Sequence, residues 1–244
     1  MSSQSPLIRS KQFDKGPSGI GNLVITSLPH NTIEISALGL AFAISQKSRE
    51  RLSVLQIGAC DGKVGDPLYH QLHRGAPINA TLVEPIPANF EALKKSYSGL
   101  QNVSFLNIAI AHEDGRAAIY AVKNEGRWSG SEWAPQWASF QYDHLLKHGV
   151  LPNEIEEQTV QTCTLQTVIK NSQINFIDFL MIDTEGFDSA VVIMALKIQQ
   201  QPRFICFEHL HLRPDEFEPL FQQLHSNNYR WVSDRMNTLA IKIA

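Results

Sequence analysis

The sequence predicts an α/β fold: a mostly parallel seven-stranded sheet that ends in a C-terminal antiparallel hairpin. From residue 52 onward, short apolar segments alternate with amphipathic segments of helical period, which is typical of a parallel sheet covered by helices on both faces. The first apolar segment runs directly into a turn that contains glycine, as in a βαβ unit. The chain then closes with two strand-like runs joined by residues 234–237, which indicates a hairpin.

The N-terminal part precedes this alternation. Residues 1–30 are rich in Ser, Gly and Pro, which predicts a loosely ordered arm. Between Thr32 and Arg51, apolar residues recur at three- and four-residue steps and the last residues are basic, which favours a helix. We therefore expect an N-terminal arm and helix over residues 1–51 and one larger domain over residues 52–244.

The larger domain contains five strands separated by helices, followed by the hairpin. Each predicted strand is a short apolar run, and each predicted helix has an amphipathic pattern bounded by turn residues. The strands are predicted at residues 53–57, 80–84, 103–107, 177–183, 203–208, 229–233 and 238–243. The helices are predicted at residues 64–73, 87–97, 187–198 and 214–227.

Residues 113–165 form an insert that is too long for a plain connection in a compact domain. Its ends, 117–122 and 159–164, alternate like short strands, and 164–170 has the pattern of a helix. Segment 127–142 holds three of the four tryptophans of the chain. Such aromatic crowding is typical of a lid or substrate wall, and equally of a small core that packs the insert onto the sheet.

Composition excludes several classes of partner. The net charge of −3 gives no basic patch for nucleic acid or for an anionic membrane. The longest uncharged apolar run, 35–44, is about half of the ~20 residues that span a bilayer, and no cationic segment precedes it. Three scattered cysteines predict free thiols in a reducing compartment. We expect a cytoplasmic protein that acts on a small molecule.

Two segments together indicate a site for an adenosyl group. Residues 54–63 read VLQIGACDGK and residues 81–85 read TLVEP. Gly58 and Gly62 permit a tight turn after the first strand, and Glu84 follows Gly62 by 22 positions. This is close to the roughly 20-residue spacing of an acid that binds a ribose diol at the end of the second strand. The spacing of the glycines does not match a pyrophosphate-binding loop.

A third segment places acidic residues at the same edge of the sheet. Residues 177–188 read IDFLMIDTEGFD, so that Asp183 and Glu185 follow a buried strand and Gly186 permits a sharp exit. Carboxylates there can hold an ammonium group or a divalent cation, or Asp183 or Thr184 can simply cap the next helix. The following strand ends in Glu208 and His209, with His211 two residues later.

These segments resemble the FkbM family of S-adenosylmethionine-dependent methyltransferases over about residues 50 to 210, most specifically in IDTEGFD. The resemblance implies a class I methyltransferase (Rossmann-like) fold and methylation of a hydroxyl on a sugar or secondary metabolite. It also implies roles by position: Gly58, Ala59, Asp61 and Gly62 beside the methionine part of the cofactor, Glu84 at the ribose, Asn107 and Ile108 at the adenine, and Asp183 between cofactor and acceptor. Many methyltransferases carry an acid where this chain has Gln56, so Asp61 or Asp183 would hold the ammonium group.

The expected reaction is an in-line displacement in which the acceptor oxygen attacks the methyl group. An alcohol needs a base near neutral pH, and imidazole suits this role. His209 is the first candidate, His211 the second, and Asp183 completes the predicted catalytic set. Three alternatives stay open: Mg²⁺ bound by oxygen ligands assists the reaction, the βαβ unit binds NAD in an oxidoreductase, or the chain is a binding module without catalysis.

Overall fold

The computed structural model of the protein describes residues 22–28, 31–36, 39, 41 and 51–243. Twelve strands lie within these ranges, and the longest has nine residues. They are β1 (Asn22–Leu28), β2 (Asn31–Ser36), β3 (Leu52–Ile57), β4 (Ile78–Val83), β5 (Val103–Leu106), β6 (Ala109–Ile110), β7 (Gly115–Val122), β8 (Ile155–Cys163), β9 (Phe179–Ile182), β10 (Phe204–Glu208), β11 (Tyr229–Ser233) and β12 (Asn237–Lys242).

The helices lie mainly between these strands, as the alternating pattern predicts. They are α1 (Pro67–His73), α2 (Pro87–Ser96), α3 (Tyr142–Lys147), α4 (Leu165–Asn171), α5 (Asp188–Ala195) and α6 (Pro214–Ser226). The predicted helix at 64–73 begins three residues later than expected, because Asp66 caps it by accepting a hydrogen bond from the Leu68 N–H at 2.7 Å. Pro67 then takes the first helical position, where a missing N–H costs nothing.

The predicted seven-stranded sheet is confirmed. Its strand order is β11-β12-β10-β9-β3-β4-β5, and β10, β9, β3, β4 and β5 run parallel. The predicted C-terminal hairpin is also confirmed, since β12 pairs antiparallel with both β10 and β11. From β3 the chain continues to β4 and then β5, which lie on one side of β3 in the sheet. It later returns to the other side of β3 with β9 and then β10. The order therefore reverses between β3 and β9, where open α/β sheets bind ligands.

Apolar cores cover both faces of the sheet. Leu55 and Ile57 of β3 belong to the core that includes α5 and α6, whereas Leu52 and Val54 belong to the core that includes α1 and α2. Alternate side chains of one strand thus enter different cores. This explains why the strands read as continuous apolar runs rather than as alternating ones.

The insert folds as a second layer of structure beside the main sheet. Its predicted strands are present but longer than expected, as β7 and β8, and with β6 they form a three-stranded sheet in the order β6-β8-β7. The predicted helix at 164–170 is α4. The segment between β7 and β8 carries α3 and three short 3₁₀ turns.

The predicted helix over Thr32 to Arg51 is wrong in its first part. Residues 31–36 form β2, which pairs antiparallel with β1, while Gly39 and Ala41 are helical and 42–50 lie outside the described residues. Within 31–36, Ile33 and Ile35 alternate with polar residues, a two-residue period that fits a strand. The predicted loose arm is likewise wrong over β1, and the rest of it lies outside the described ranges. Among the described residues, no helix is long and apolar enough to cross a membrane.

Candidate functional site

A pocket lies at the carboxyl ends of the strands, beside the point where the strand order reverses. Its walls come from the residues that follow β3, β4 and β9, and from the insert. The empty space between these walls, counted with the part that opens to solvent, is about 1160 Å³. Of the predicted cofactor residues, five line this pocket: Gly58, Ala59, Glu84, Ile108 and Asp183.

Gly58 brings β3 and β9 together at the floor of the pocket. The Asp183 N–H donates to the Ile57 carbonyl at 3.0 Å, so the two strand ends stay in register. Gly58 has φ +79°, and a Cβ on it would lie 1.7 Å from the carbonyl oxygen of Asp183. The glycine is therefore required by the neighbouring backbone, a reason that the sequence motif alone does not reveal.

We expect Gly58→Ala to lower the free energy of unfolding by about 2–3 kcal/mol more than Gly75→Ala does, because only the first change forces side chain against backbone. Gly75 has a similar φ of +77°, and a Cβ there would meet no atom within 4 Å, so this variant measures the cost of φ alone. Urea unfolding of both variants checks the difference. Equal losses would show that the turn adjusts to the added methyl group.

Gly62 and Asp61 do not line the pocket. A Cβ on Gly62 would lie 2.4 Å from Cδ1 of Leu93, so this glycine lets α2 pack against the loop. Asp61 accepts hydrogen bonds from the N–H groups of Lys63 and Val64 at 2.9 and 3.0 Å. Both residues shape the loop that follows β3, and their predicted place beside the methionine part of the cofactor stays a prediction.

Glu84 is buried at the end of β4, with its carboxylate facing the loop after β3. One oxygen accepts from the Cys60 N–H at 2.9 Å and the other from the Ile86 N–H at 2.8 Å. A carboxylate has about four acceptor positions, so others remain for two hydroxyl groups. Burial raises the pKa of Glu84 to about 7, and these hydrogen bonds oppose the rise.

Asn107 and Ile108 have different surroundings in the structure. The Asn107 amide donates to the carbonyl of Glu84 at 2.8 Å and to that of Pro85 at 3.0 Å, and its side chain does not line the pocket. Ile108 does line the pocket. Asn107 thus fixes the backbone around Glu84, whereas Ile108 offers an apolar wall of the kind that a purine ring packs against.

Two buried polar residues of the pocket escaped the sequence analysis as site residues. Asp66 accepts a hydrogen bond from the Tyr97 hydroxyl at 2.7 Å, and burial raises its pKa to about 6. The Gln56 side chain hydrogen-bonds to Asp66, but its Oε1 is buried and has no partner among the described residues. A buried acceptor without a donor indicates a position for a bound N–H group.

Four acidic residues crowd the ends of β9 and β10. Asp183 is exposed to the open pocket, whereas Asp188 and Glu208 are buried. Enclosure by the pocket wall, and then the charges of Glu185, Asp188 and Glu84, raise the pKa of Asp183. Because its side chain still meets solvent, we attribute much of this rise to the neighbouring charges. Burial, followed by neighbouring acids, also raises the pKa of Glu185 and Glu208.

Asp183 does not cap the next helix. The N-cap position of α5 is Phe187, which has no side-chain hydrogen bond there. Thr184 instead donates from its hydroxyl to Asp188 at 2.8 Å, which closes the turn. The capping alternative is therefore wrong for Asp183, whose carboxylate stays available to the pocket.

The two candidate base histidines lie behind the pocket wall. His209 Nδ1 is 3.0 Å from the Thr238 hydroxyl, and its ring meets Phe217 edge to face. His211 Nε2 is 3.5 Å from Glu185 Oε2 and 3.4 Å from Glu208 Oε2. Neither imidazole is part of the pocket lining, and the predicted role of each stays a prediction.

The insert brings two further histidines to this cluster. His144 lies on α3 and His148 follows it, and their ring centroids are 4.7 and 5.5 Å from that of His211. His144 is buried and its Nε2 lies 2.8 Å from Glu185 Oε2. No sequence motif marks these residues. The two histidines are four residues apart on a predicted loop, and the residues that they meet, Glu185 and His211, are distant in the chain.

The aromatic segment of the insert forms a small core, and its neighbouring residues line one side of the pocket. Trp128 and Trp137 pack edge to face within a small core, and Trp137 stacks on His148. Pro135, Ala138 and Phe140 line the pocket, whereas the tryptophans do not. The Ser139 hydroxyl donates to the Glu185 carbonyl at 2.7 Å, which ties this wall to the acidic turn.

Comparison with known proteins gives one family. Residues 56–231 match the model described as the Methyltransferase FkbM domain. No curated protein matches the chain significantly.

Solved structures resemble the chain at low identity. The METTL16 MTase domain is 12% identical with a TM-score of 0.47, and the match covers 86% of this chain and 67% of that one. The ribosomal protein L11 methylase from Lactobacillus delbrueckii subsp. bulgaricus is 10% identical with a TM-score of 0.41, over 85% and 79%. Fibrillarin from Aeropyrum pernix, with natively bound S-adenosyl-L-methionine, is 10% identical with a TM-score of 0.43, over 84% and 74%.

Proposed function

Because the chain belongs to the FkbM methyltransferase family, we propose that it transfers a methyl group from S-adenosylmethionine to a hydroxyl oxygen of a sugar or secondary metabolite. The observation that carries the proposal is the buried carboxylate of Glu84 at the strand-order reversal, beside an open pocket. The seven-stranded sheet is that of a class I methyltransferase. A reducing, cytoplasmic location is part of the proposal, and Cys60, Cys163 and Cys206 are free thiols.

The residues of the pocket fit the proposed cofactor. Glu84 would accept hydrogen bonds from the two ribose hydroxyls, and Ile108 would pack against the adenine. The partnerless Oε1 of Gln56 would accept from the ammonium group, with Asp66 adding negative charge nearby. An acid at position 56 is then unnecessary. Bound S-adenosylmethionine would supply a methyl group on a sulfonium, which an oxygen nucleophile can displace.

Asp183 is the residue that we propose to take the proton from the acceptor hydroxyl. It alone among the three predicted catalytic residues lines the pocket, and enclosure together with the charges of Glu185 and Asp188 raises its pKa. A carboxylate with a raised pKa is a stronger base than an ordinary one. The leaving thioether is neutral, so the reaction needs no acid.

The insert supplies the apolar side of the acceptor site. Pro135, Ala138 and Phe140 face the strand ends across the pocket. This wall would exclude water and hold the acceptor oxygen in line with the methyl group, and alignment is the main source of rate in such a displacement. The hydrogen bond from Ser139 to Glu185 keeps the wall in position.

Two measurements test the function. A cell extract incubated with the chain and methyl-labelled S-adenosylmethionine should yield a labelled small molecule, identified by mass spectrometry. Thermal unfolding should shift upward with S-adenosylhomocysteine and stay unchanged with NADH, because a ligand stabilises only the protein that binds it. A shift with NADH alone would favour the oxidoreductase alternative. Cofactor binding without any labelled product would favour a binding module.

A further inference from the structure

Four side chains from three separate parts of the chain converge next to the pocket. They are His144 and His148 from the insert, Glu185 from the turn after β9, and His211 from the loop after β10. Each offers one ligand atom, and these atoms all lie within 4.8 Å of one another. The three imidazole rings have centroids 4.7 to 5.5 Å apart.

Contacts within this cluster are close but are not hydrogen bonds. His144 Nε2 and Glu185 Oε2 lie 2.8 Å apart, yet both atoms are buried and neither has a hydrogen-bond partner among the described residues. Their side chains are only 5% and 12% exposed. A buried imidazole nitrogen and a buried carboxylate oxygen that lie this close without the geometry of a hydrogen bond are two ligand atoms that a shared cation would satisfy.

The distances fit bonds to one ion. Metal bonds of about 2.0–2.1 Å put neighbouring ligand atoms about 2.9 Å apart in an octahedral site and about 3.4 Å apart in a tetrahedral one. His144 Nε2 to Glu185 Oε2 is 2.8 Å, and His211 Nε2 to Glu185 Oε2 is 3.5 Å. Glu208 Oε2, 3.4 Å from His211 Nε2, is within reach as a further ligand.

We propose that His144, His148, His211 and Glu185 bind one divalent transition-metal ion, with zinc as the best-matched candidate. Three imidazoles and one carboxylate suit zinc and its first-row neighbours, whereas Mg²⁺ prefers oxygen ligands and retains several waters. The oxygen-only group Asp183, Glu185 and Glu208, whose ligand atoms are also within 4.8 Å, is the competing set for Mg²⁺.

The ion would join the insert to the main sheet. Because His144 and His148 come from the insert and the other two ligands follow strands of the sheet, binding would fix the insert over the pocket. Glu185 also lines the pocket, so the ion would adjoin the acceptor and could bind its oxygen. This last use rests on the proposed function, whereas binding of the ion does not.

Zinc titration of the full chain tests the site without any methyl transfer. Protein stripped with EDTA and dialysed is titrated with Zn²⁺ in competition with a chromophoric chelator, and Co²⁺ absorption reports the ligand geometry. We expect one ion per chain and a loss of affinity of about 100-fold or more in His148→Ala, since a lost ligand costs at least as much as a lost neighbour of a ligand. His148 is half-buried, so its removal perturbs packing less than that of His144.

His225→Ala is the matched control, since His225 is exposed on α6 and outside the cluster. It should bind zinc as the unchanged chain does. Glu185→Gln should weaken zinc binding as His148→Ala does, while circular dichroism confirms that both remain folded. The proposal is overturned if the chain binds less than one zinc ion, if His148→Ala binds it equally well, or if Mg²⁺ binds in its place.

Discussion

Asp183→Asn is expected to lower the rate of methyl transfer by about 10²–10⁴, the usual contribution of a positioned base. The amide has the size of the carboxylate but cannot take the proton of the acceptor hydroxyl. Asp183 lines the pocket and lies beside Glu185 and Asp188, whose charges raise its pKa after enclosure by the wall. Turnover of the acceptor found by isotope labelling, measured at saturating cofactor, gives the effect on the chemical step.

Binding of S-adenosylhomocysteine separates this role from the alternative in which Asp183 holds the ammonium group. We expect its affinity in Asp183→Asn to stay within about threefold of the native value, or about 0.7 kcal/mol. His209→Gln and His211→Gln are the comparison variants, because both residues stand behind the wall. An unchanged rate of methyl transfer in Asp183→Asn, together with a large loss of rate in His209→Gln, would show that His209 is the base, as the sequence favours.

Glu84→Gln is expected to weaken S-adenosylhomocysteine binding by about 1.5–3 kcal/mol, or roughly 10- to 150-fold. Glutamine keeps the shape and one acceptor oxygen, but it loses the charge and the second acceptor. The Cys60 N–H, which now donates to Glu84, would then face an amide and could lose its partner. Isothermal titration calorimetry measures the change, and unaltered affinity would place the ribose elsewhere.

The pH dependence of binding provides an independent check on Glu84. Burial raises its pKa from 4.5 to about 7, so most chains carry a neutral Glu84 at pH 6 and an ionised one at pH 8. Only the ionised group carries no proton on either oxygen, so that both can accept further hydrogen bonds from hydroxyls beside those from Cys60 and Ile86. Affinity for S-adenosylhomocysteine should therefore rise about tenfold from pH 6 to 8 and then level off. Glu84→Gln should remove this rise, whereas a rise that persists would belong to another group such as Asp66.

Some elements were predictable because neighbouring residues decide them. The apolar runs of β3, β9 and β10 and the glycines that follow β3 and β9 are local patterns, and parallel packing follows from them. The first part of the N-terminal helix was mispredicted because the helical spacing that begins at Ile35 was extended back to Thr32, whereas pairing with residues 22–28 makes 31–36 a strand. The conformation of residues 31–36 was thus decided by the strand that pairs with them, and not by their own helix or strand propensity.

Within the site, the sequence located Glu84 and Asp183 because strand ends of a parallel sheet meet at one edge. It also assigned Gly62, Asp61 and Asn107 to the ligand, and the structure adds that these residues hold the loop and the backbone beside the pocket. A glycine or an acid in a loop motif looks the same in the sequence whether it contacts the ligand or supports the loop. Only its surroundings reveal which one applies.

The sequence by itself determined the strands of the main sheet, their alternation with helices and the two carboxylates at the strand ends, because hydrophobic period and turn chemistry act between near neighbours. The tertiary structure alone decided that His144 and His148 meet Glu185 and His211. These residues are far apart in the chain, and their meeting depends on how the insert packs onto the sheet. Long-range packing of this kind is the sum of many weak contacts and leaves no signature in any single segment.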